Sequence, residues 1–161
     1  MQQLVKLYQQ WAGTEPAHIE QLAGAGSNRQ YYRITAADGA TVIGVVGTSR
    51  EENHAFVYLD RHFVHHKLPV PAVLAVSDDE MRYLQTDLGS TSLFDAIRGG
   101  REAGGRYDLA EQTLLKRTIR ALPDLQIRGA NDLDWNQCYP QPVFDEDNVL
   151  FDLNYFKYDF L

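Results

Sequence analysis

A glycine-bearing stretch, Gly24-Ala25-Gly26-Ser27-Asn28-Arg29-Gln30, lies between two short strand-like runs and is followed by a β-branched run, Thr41-Val42-Ile43-Gly44-Val45-Val46. Glycines let the backbone fold tightly and bring successive N–H groups close to an anion, where a Cβ would obstruct. The order strand, glycine-rich turn, strand, strand confines the start of the chain to a system of antiparallel hairpins. The turn reads either as a phosphate cradle or as a plain hairpin bend, and the rest of the chain has to decide between them.

Periodicity divides the chain into three stretches. Leu4, Tyr8, Trp11 and Ala12 fall at helical spacing, and Gly13 with Pro16 ends the pattern, which predicts a short helix capping the sheet. Strands are expected over 18–23, 31–35 and 41–46, with Asp38-Gly39 as a hairpin signal. A long helix is expected over 51–66: Ala55, Phe56, Leu59 and Phe63 share one face, acids open it, and His65, His66 and Lys67 close it in accord with the helix dipole. Pro69 and Pro71 precede a second hairpin over 72–76 and 81–86, turned by Ser77-Asp78-Asp79-Glu80. The first unit is therefore α+β, with five antiparallel strands and one long helix over residues 1–88.

Beyond Asp87-Leu88-Gly89 the pattern is helical, and 89–161 forms the second unit. Ser92 is a candidate N-cap for a helix over 93–98 ended by Gly99-Gly100. Asp108-Leu109-Ala110-Glu111 approximates a capping box, with Leu109, Leu114, Leu115, Ile119 and Leu122 expected to be buried and Pro123 to stop the helix. The stretch 129–142 has no period. Val149, Leu150, Leu153, Phe156 and Phe160 mark a final amphipathic helix whose apolar face runs to the last residue, so that helix is expected to need a covering partner.

The 161 residues are 44% hydrophobic and 23% charged, enough for one ordinary core, and the net charge of −7 disfavours a broad nucleic-acid footprint. One cysteine, Cys138, allows no internal disulfide. No membrane span and no basic, apolar leader is evident, so the expected location is the cytoplasm.

Four segments now carry a resemblance. Ser27-Asn28-Arg29-Gln30-Tyr31-Tyr32-Arg33, the run Val42-Ile43-Gly44-Val45, the helix opening Glu51-Glu52-Asn53 and Leu84-Gln85-Thr86-Asp87-Leu88-Gly89 together resemble the aminoglycoside phosphotransferase family, whose fold is that of a protein kinase. Within it the chain is similar to uncharacterised phosphotransferases and to anomeric amino-sugar kinases. The resemblance implies a kinase-like small lobe, a hinge at 87–89 and only the first helices of a helical large lobe, the C-terminal half of such an enzyme being absent.

It also implies a site for ATP or GTP with Mg²⁺ in the intact enzyme. Gly24 and Gly26 would shape the turn, and Ser27, Asn28 and Arg29 would cover the phosphates. Gln85, Thr86 and Asp87 would offer backbone groups to the base. The acceptor, a sugar or aminoglycoside hydroxyl, would bind the missing lobe.

Three departures qualify that expectation. Kinases place a lysine on the third strand to hold the α- and β-phosphates and pair it with a glutamate of the next helix. This chain has no lysine between Lys6 and Lys67, and Gly44, Val45 and Val46 occupy the candidate positions. Arg29 and Arg33 are the available cations, either reaching a phosphate under the turn or lying on a solvated hairpin surface. Glu51 or Glu52 is the candidate ion-pair partner, although acids in a first helical turn need no such role.

The second departure is the lack of a catalytic loop carrying an aspartate and a following asparagine, so no catalytic residue is assigned and the chain alone is expected not to turn over. Asp159-Phe160-Leu161 only imitates a metal-binding motif, and no metal site is assigned. The third is the uncovered C-terminal helix, whose exposure a homodimer, or docking back on the small lobe, would relieve.

The alternative to an enzyme fragment is a non-enzymatic kinase-like module that binds or regulates a partner through that helix face. A further alternative is an unrelated α+β domain whose hairpin only imitates the loop. His62 and His66, four apart, have helical spacing for zinc but no evident third ligand. Asp78, Asp79 and Glu80 read as a solvated hairpin tip, and Tyr31 and Tyr32 alternate onto opposite faces of their strand.

Overall fold

A computed structural model describes residues 1–24 and 28–160, so Gly26 and Ser27 of the expected phosphate cradle lie outside the described residues. Five strands, β1 (His18–Gln21), β2 (Gln30–Thr35), β3 (Thr41–Val46), β4 (Val73–Val76) and β5 (Arg82–Thr86), form one open antiparallel sheet in the order β1-β2-β3-β5-β4. Helices α1 (Gln2–Ala12) and α2 (Arg50–His65) accompany it, giving the α+β arrangement that the periodicities anticipate.

Successive side chains of a strand point to opposite faces, so the two halves of each strand pattern build two cores. On one face Tyr32, Ile34, Val42 and Leu84 meet Leu4, Leu7 and Tyr8 of α1, all buried. Gly44 makes this approach close: a Cβ there would stand 2.9 Å from both Ile34 Cδ1 and Leu4 Cδ2. On the other face Ile43, Val45 and Tyr83 are buried with Phe56 of α2, Tyr31 of β2 and Val73 and Val76 of β4 packed against them. The central strand β3 is buried on both faces, which explains why it reads as a continuous apolar run rather than an alternating one.

Polar contacts along its length fix α2 to the sheet. Ser49 caps it, its hydroxyl accepting from the Glu52 N–H at 3.1 Å. The fully buried Asn53 donates from Nδ2 to the Glu80 carbonyl at 2.9 Å, tying the first turns of the helix to the β4–β5 turn. Gly47 faces that amide so closely that a Cβ would lie 2.2 Å from Asn53 Nδ2. Two turns on, buried Asp60 accepts from the Val73 N–H at 2.8 Å.

Past the sheet the chain forms α3 (Leu93–Ala96), α4 (Arg98–Glu102), α5 (Leu109–Pro123), a π-helical turn at Asp124–Arg128 and α6 (Glu146–Phe160). Ser92 is the N-cap of α3, and Asp108 and Glu111 form a complete capping box on α5. The expected stop at Gly99-Gly100 is corrected, because both glycines lie inside α4. Gly100 is buried where a Cβ would come within 2.1 Å of the Tyr107 ring, and its N–H donates to Glu111 Oε1 at 2.8 Å. Tight packing, not chain termination, explains the small residue.

Burial of the α5 stripe is also corrected. Leu109, Leu114, Ile119 and Leu122 stand exposed, and Glu111 is the buried residue of that helix. On α6, Val149, Leu150, Phe151, Leu153 and Phe156 are exposed together, Phe156 by 53%. A helical period records which residues would share an interface; burial requires something to lie against it. No helix among the described residues is long and apolar enough to cross a membrane.

Candidate functional site

The α2-facing side of the sheet carries Arg29, Arg33 and Gln85 among the residues singled out above. Strand alternation puts Arg29, Tyr31 and Arg33 toward that side, and the register aligns Arg33 with Ile43 and Ile43 with Gln85. Over four residues of extended chain the two arginines are separated by roughly 13 Å, so they serve different ends of the face.

Arg29 immediately precedes β2 and its side chain is only 12% exposed. Its Nη2 lies 2.9 Å from Glu52 Oε1, and its guanidinium carbon sits 5.1 Å from the centre of the Phe56 ring. Phe56 in turn stacks on Tyr83, with centroids 5.0 Å apart. Cation, helix aromatic and strand aromatic thus form one continuous stack at the start of β2. Of the two candidate acids, Glu52 makes the ion pair. Glu51 accepts instead from the Ser49 hydroxyl at 3.0 Å and completes the helix cap, with its carboxyl held below the ordinary value by its own backbone N–H and by that hydroxyl.

Tyr83 is fully buried and its hydroxyl has no hydrogen-bond partner among the described residues. Burial pushes the phenol well above its ordinary pKa, with the nearby Arg29 charge acting weakly in the other direction. Gln85, on the same face, also buries an Oε1 without a partner among the described residues. Unsatisfied buried polar atoms cost free energy, and these two lie on the same face of the sheet.

Arg33 forms a two-pronged ion pair with Asp87, Nε to Oδ2 at 2.6 Å and Nη2 to Oδ1 at 3.2 Å. Asp87 Oδ1 also accepts from the Gly89 N–H at 2.8 Å. The Arg33 hydrogen bond first, and then the Gly89 N–H and the Thr41 hydroxyl, bring the Asp87 carboxyl down to about 2 despite its burial. Arg33 is thereby fastened to the segment after β5, a structural use of its charge and not the solvated surface position weighed above.

Thr86 ties the end of β5 to the segment before β4. Its N–H donates to the Ala72 carbonyl at 3.0 Å, and its hydroxyl accepts from the Ala72 N–H at 3.0 Å. At Gly24 a Cβ would meet nothing within 4 Å, and its φ is not left-handed, so the described geometry gives no steric reason for glycine there. Asn28 is exposed.

Other candidates resolve as structural. His62 donates from Nε2 to the Gly129 carbonyl at 2.9 Å, its ring centre 4.5 Å from that of His66, and no group of three or more His, Cys, Asp or Glu among the described residues could hold a metal ion. In the β4–β5 turn Asp79 pairs with Arg82, and Glu80 pairs with both Arg50 and His54, while Asp78 and Asp79 stand exposed as a solvated tip. Sequence reasoning missed Phe56 and Tyr83 as site residues because aromatics at core spacing read as packing.

No family model matches the chain, and no curated protein matches it.

Proposed function

We propose that the chain is the nucleotide-binding portion of an ATP- or GTP-dependent small-molecule phosphotransferase. Its kinase-like small lobe would span residues 1–88, and 89–161 would form the first helices of a larger lobe. The observation that carries this reading is the Arg29–Glu52 ion pair on the Phe56–Tyr83 stack. Kinase chemistry needs a fixed cation at the phosphates, held by an acid of the helix behind the sheet. In this chain a loop arginine held by Glu52 of α2 fills that requirement, while apolar Val45 occupies the strand where a lysine would otherwise stand.

The nucleotide would supply the γ-phosphoryl group for transfer to a sugar or aminoglycoside hydroxyl. Arg29 binds phosphate oxygens in this reading, its forked N–H donors suiting that geometry better than an ammonium. Glu52 orients the fork, and its carboxylate is 40% exposed, so the pair can admit an anion without a buried charge being stranded. Gln85 presents an amide to the base, while Asp87 keeps the connection after β5 fixed through Arg33. Asp87, spent on Arg33, is a poor Mg²⁺ ligand, and no carboxylate cluster among the described residues suits that ion. Magnesium would therefore arrive with the nucleotide, and no step here is routed through it.

Isothermal titration of the chain with ATP, GTP and their magnesium complexes tests the reading. Saturable heat with at least one nucleotide is expected; silence with all four at about 1 mM, the weakest binding a competent site would show, overturns it.

A second reading, a non-enzymatic kinase-like module acting through its C-terminal helix, is favoured by the exposed apolar residues of α6. It predicts no nucleotide binding together with a concentration-dependent dimer or a stable partner complex.

A further inference from the structure

A groove of about 640 Å³ runs along the side of α2 that faces away from Glu52 and Phe56, with the β4–β5 turn as its opposite wall. Such a volume lies in the range of small-molecule sites. Its helix wall carries Arg50, His54, Arg61 and His65, separated by four, seven and four residues and hence aligned on one helical face. Val57, Tyr58 and Val76 provide an apolar floor.

The charges along the groove are unevenly satisfied. At one end Glu80 takes both Arg50, at 2.8 Å, and His54, at 2.9 Å. The Glu80 hydrogen bond raises the His54 pKa, and the His54 and Arg50 hydrogen bonds lower the Glu80 pKa. At that end every basic group has a carboxylate partner within the protein. At the other end Arg61 and His65, one helical turn apart, form no ion pair among the described residues. Asp78 stands exposed on the opposite rim, and His62 is engaged with the Gly129 carbonyl.

We propose that this groove binds a small organic acid, its anionic group held between Arg61 and His65 and its apolar body lying on Val57, Tyr58 and Val76. Two donors one turn apart can grip one carboxylate or phosphate oxygen pair, and the floor selects for a hydrophobic body over a bare ion. The site is separate from the sheet face that carries Arg29, so it stands whether or not a nucleotide binds there.

NMR titration of the full chain with phenyl phosphate and with benzoate, against inorganic phosphate as the control, tests the proposal. Ring signals of His65, His54 and Tyr58 should shift saturably with at least one organic acid; which of the two binds more tightly separates a phosphate ester from a carboxylate. Arg61→Ala should weaken that binding about tenfold, and His65→Gln measurably, both with unchanged thermal unfolding because the side chains are exposed. Arg29→Ala should leave it unchanged. The proposal is overturned if no saturable shift appears by about 10 mM, a bound set by millimolar affinity. It is also overturned if inorganic phosphate binds as well as phenyl phosphate, or if Arg61→Ala binds like the wild type.

Discussion

Arg33 and Asp87 lie 54 positions apart in the chain, yet Arg33 Nε stands 2.6 Å from Asp87 Oδ2, and the carboxylate is only 5% exposed. The contact spans the width of β3, from the second strand to the residue that follows the fifth. It fixes where the chain leaves the sheet, and so where the helical segment begins. A carboxylate so removed from water is stable because donors answer it: both arms of the Arg33 guanidinium, the Gly89 N–H and the Thr41 hydroxyl.

Because the Asp87 carboxyl is depressed to about 2 in the folded state, its contribution to stability is complete above the unfolded carboxylate value near pH 4 and is lost as pH falls through 2. A shift of that size corresponds to about 2 kcal/mol. Asp87→Asn should lower stability by about that amount at neutral pH and flatten the decline between pH 4 and 2, as read by urea unfolding across that range. An unchanged pH profile in the variant would show that the pair contributes nothing to folding.

Glu52→Gln separates binding from folding at the other arginine. The Glu52 carboxylate is 40% exposed, and an ion pair so placed is worth no more than about 1 kcal/mol. The variant should therefore unfold within about 1 kcal/mol of the wild type. Its affinity for nucleotide should drop several-fold because Arg29 loses its orientation. Equal affinity by titration calorimetry would show that Arg29 needs no such support.

Asn53 and Gly47 are a matched pair. Asn53→Ala removes the donor to the Glu80 carbonyl and should cost about 2 kcal/mol in chemical unfolding. Gly47→Ala, whose Cβ would overlap the buried amide, should cost at least as much, and the double variant should cost less than the sum because both disturb one contact. Additive losses would place the two effects at separate sites.

Asp60 responds to pH in the opposite sense from Asp87. Burial raises its pKa, partly countered by the Val73 N–H, so the folded state holds its proton more tightly than the unfolded one, and this group's contribution diminishes as pH rises. Asp60→Asn keeps an acceptor for Val73 without the buried charge and should be close to neutral at pH 7. Asp60→Ala strands the Val73 N–H and should cost about 1 to 3 kcal/mol. Equal losses in thermal unfolding would contradict this.

The strands and α2 were legible in the sequence either from a period, as where Tyr32 and Ile34 point toward α1 and Tyr31 and Arg33 away from it, or, for β3, from a continuous β-branched run. The helical segment was harder. Gly99-Gly100 reads as a helix end on propensity, yet Tyr107 and Glu111 close over Gly100 from residues farther along the chain, a contact no local pattern records. The α5 and α6 stripes show the converse, correct as helices but exposed. At the candidate site the residue types could be named, but their partners could not. A sequence supplies charges without directions, and whether Arg29 or Arg33 would meet Glu52 depended on which arginine the sheet delivers to α2 and which to Asp87.

The most direct test of the account is the ³¹P NMR spectrum of ATP titrated with the wild-type chain and with Arg29→Ala. If Arg29 is the phosphate cation, the wild type shifts and broadens the β- and γ-phosphorus resonances saturably, and Arg29→Ala, folded by its amide spectrum, leaves them at their free positions. Identical phosphorus shifts with the two proteins would contradict the account.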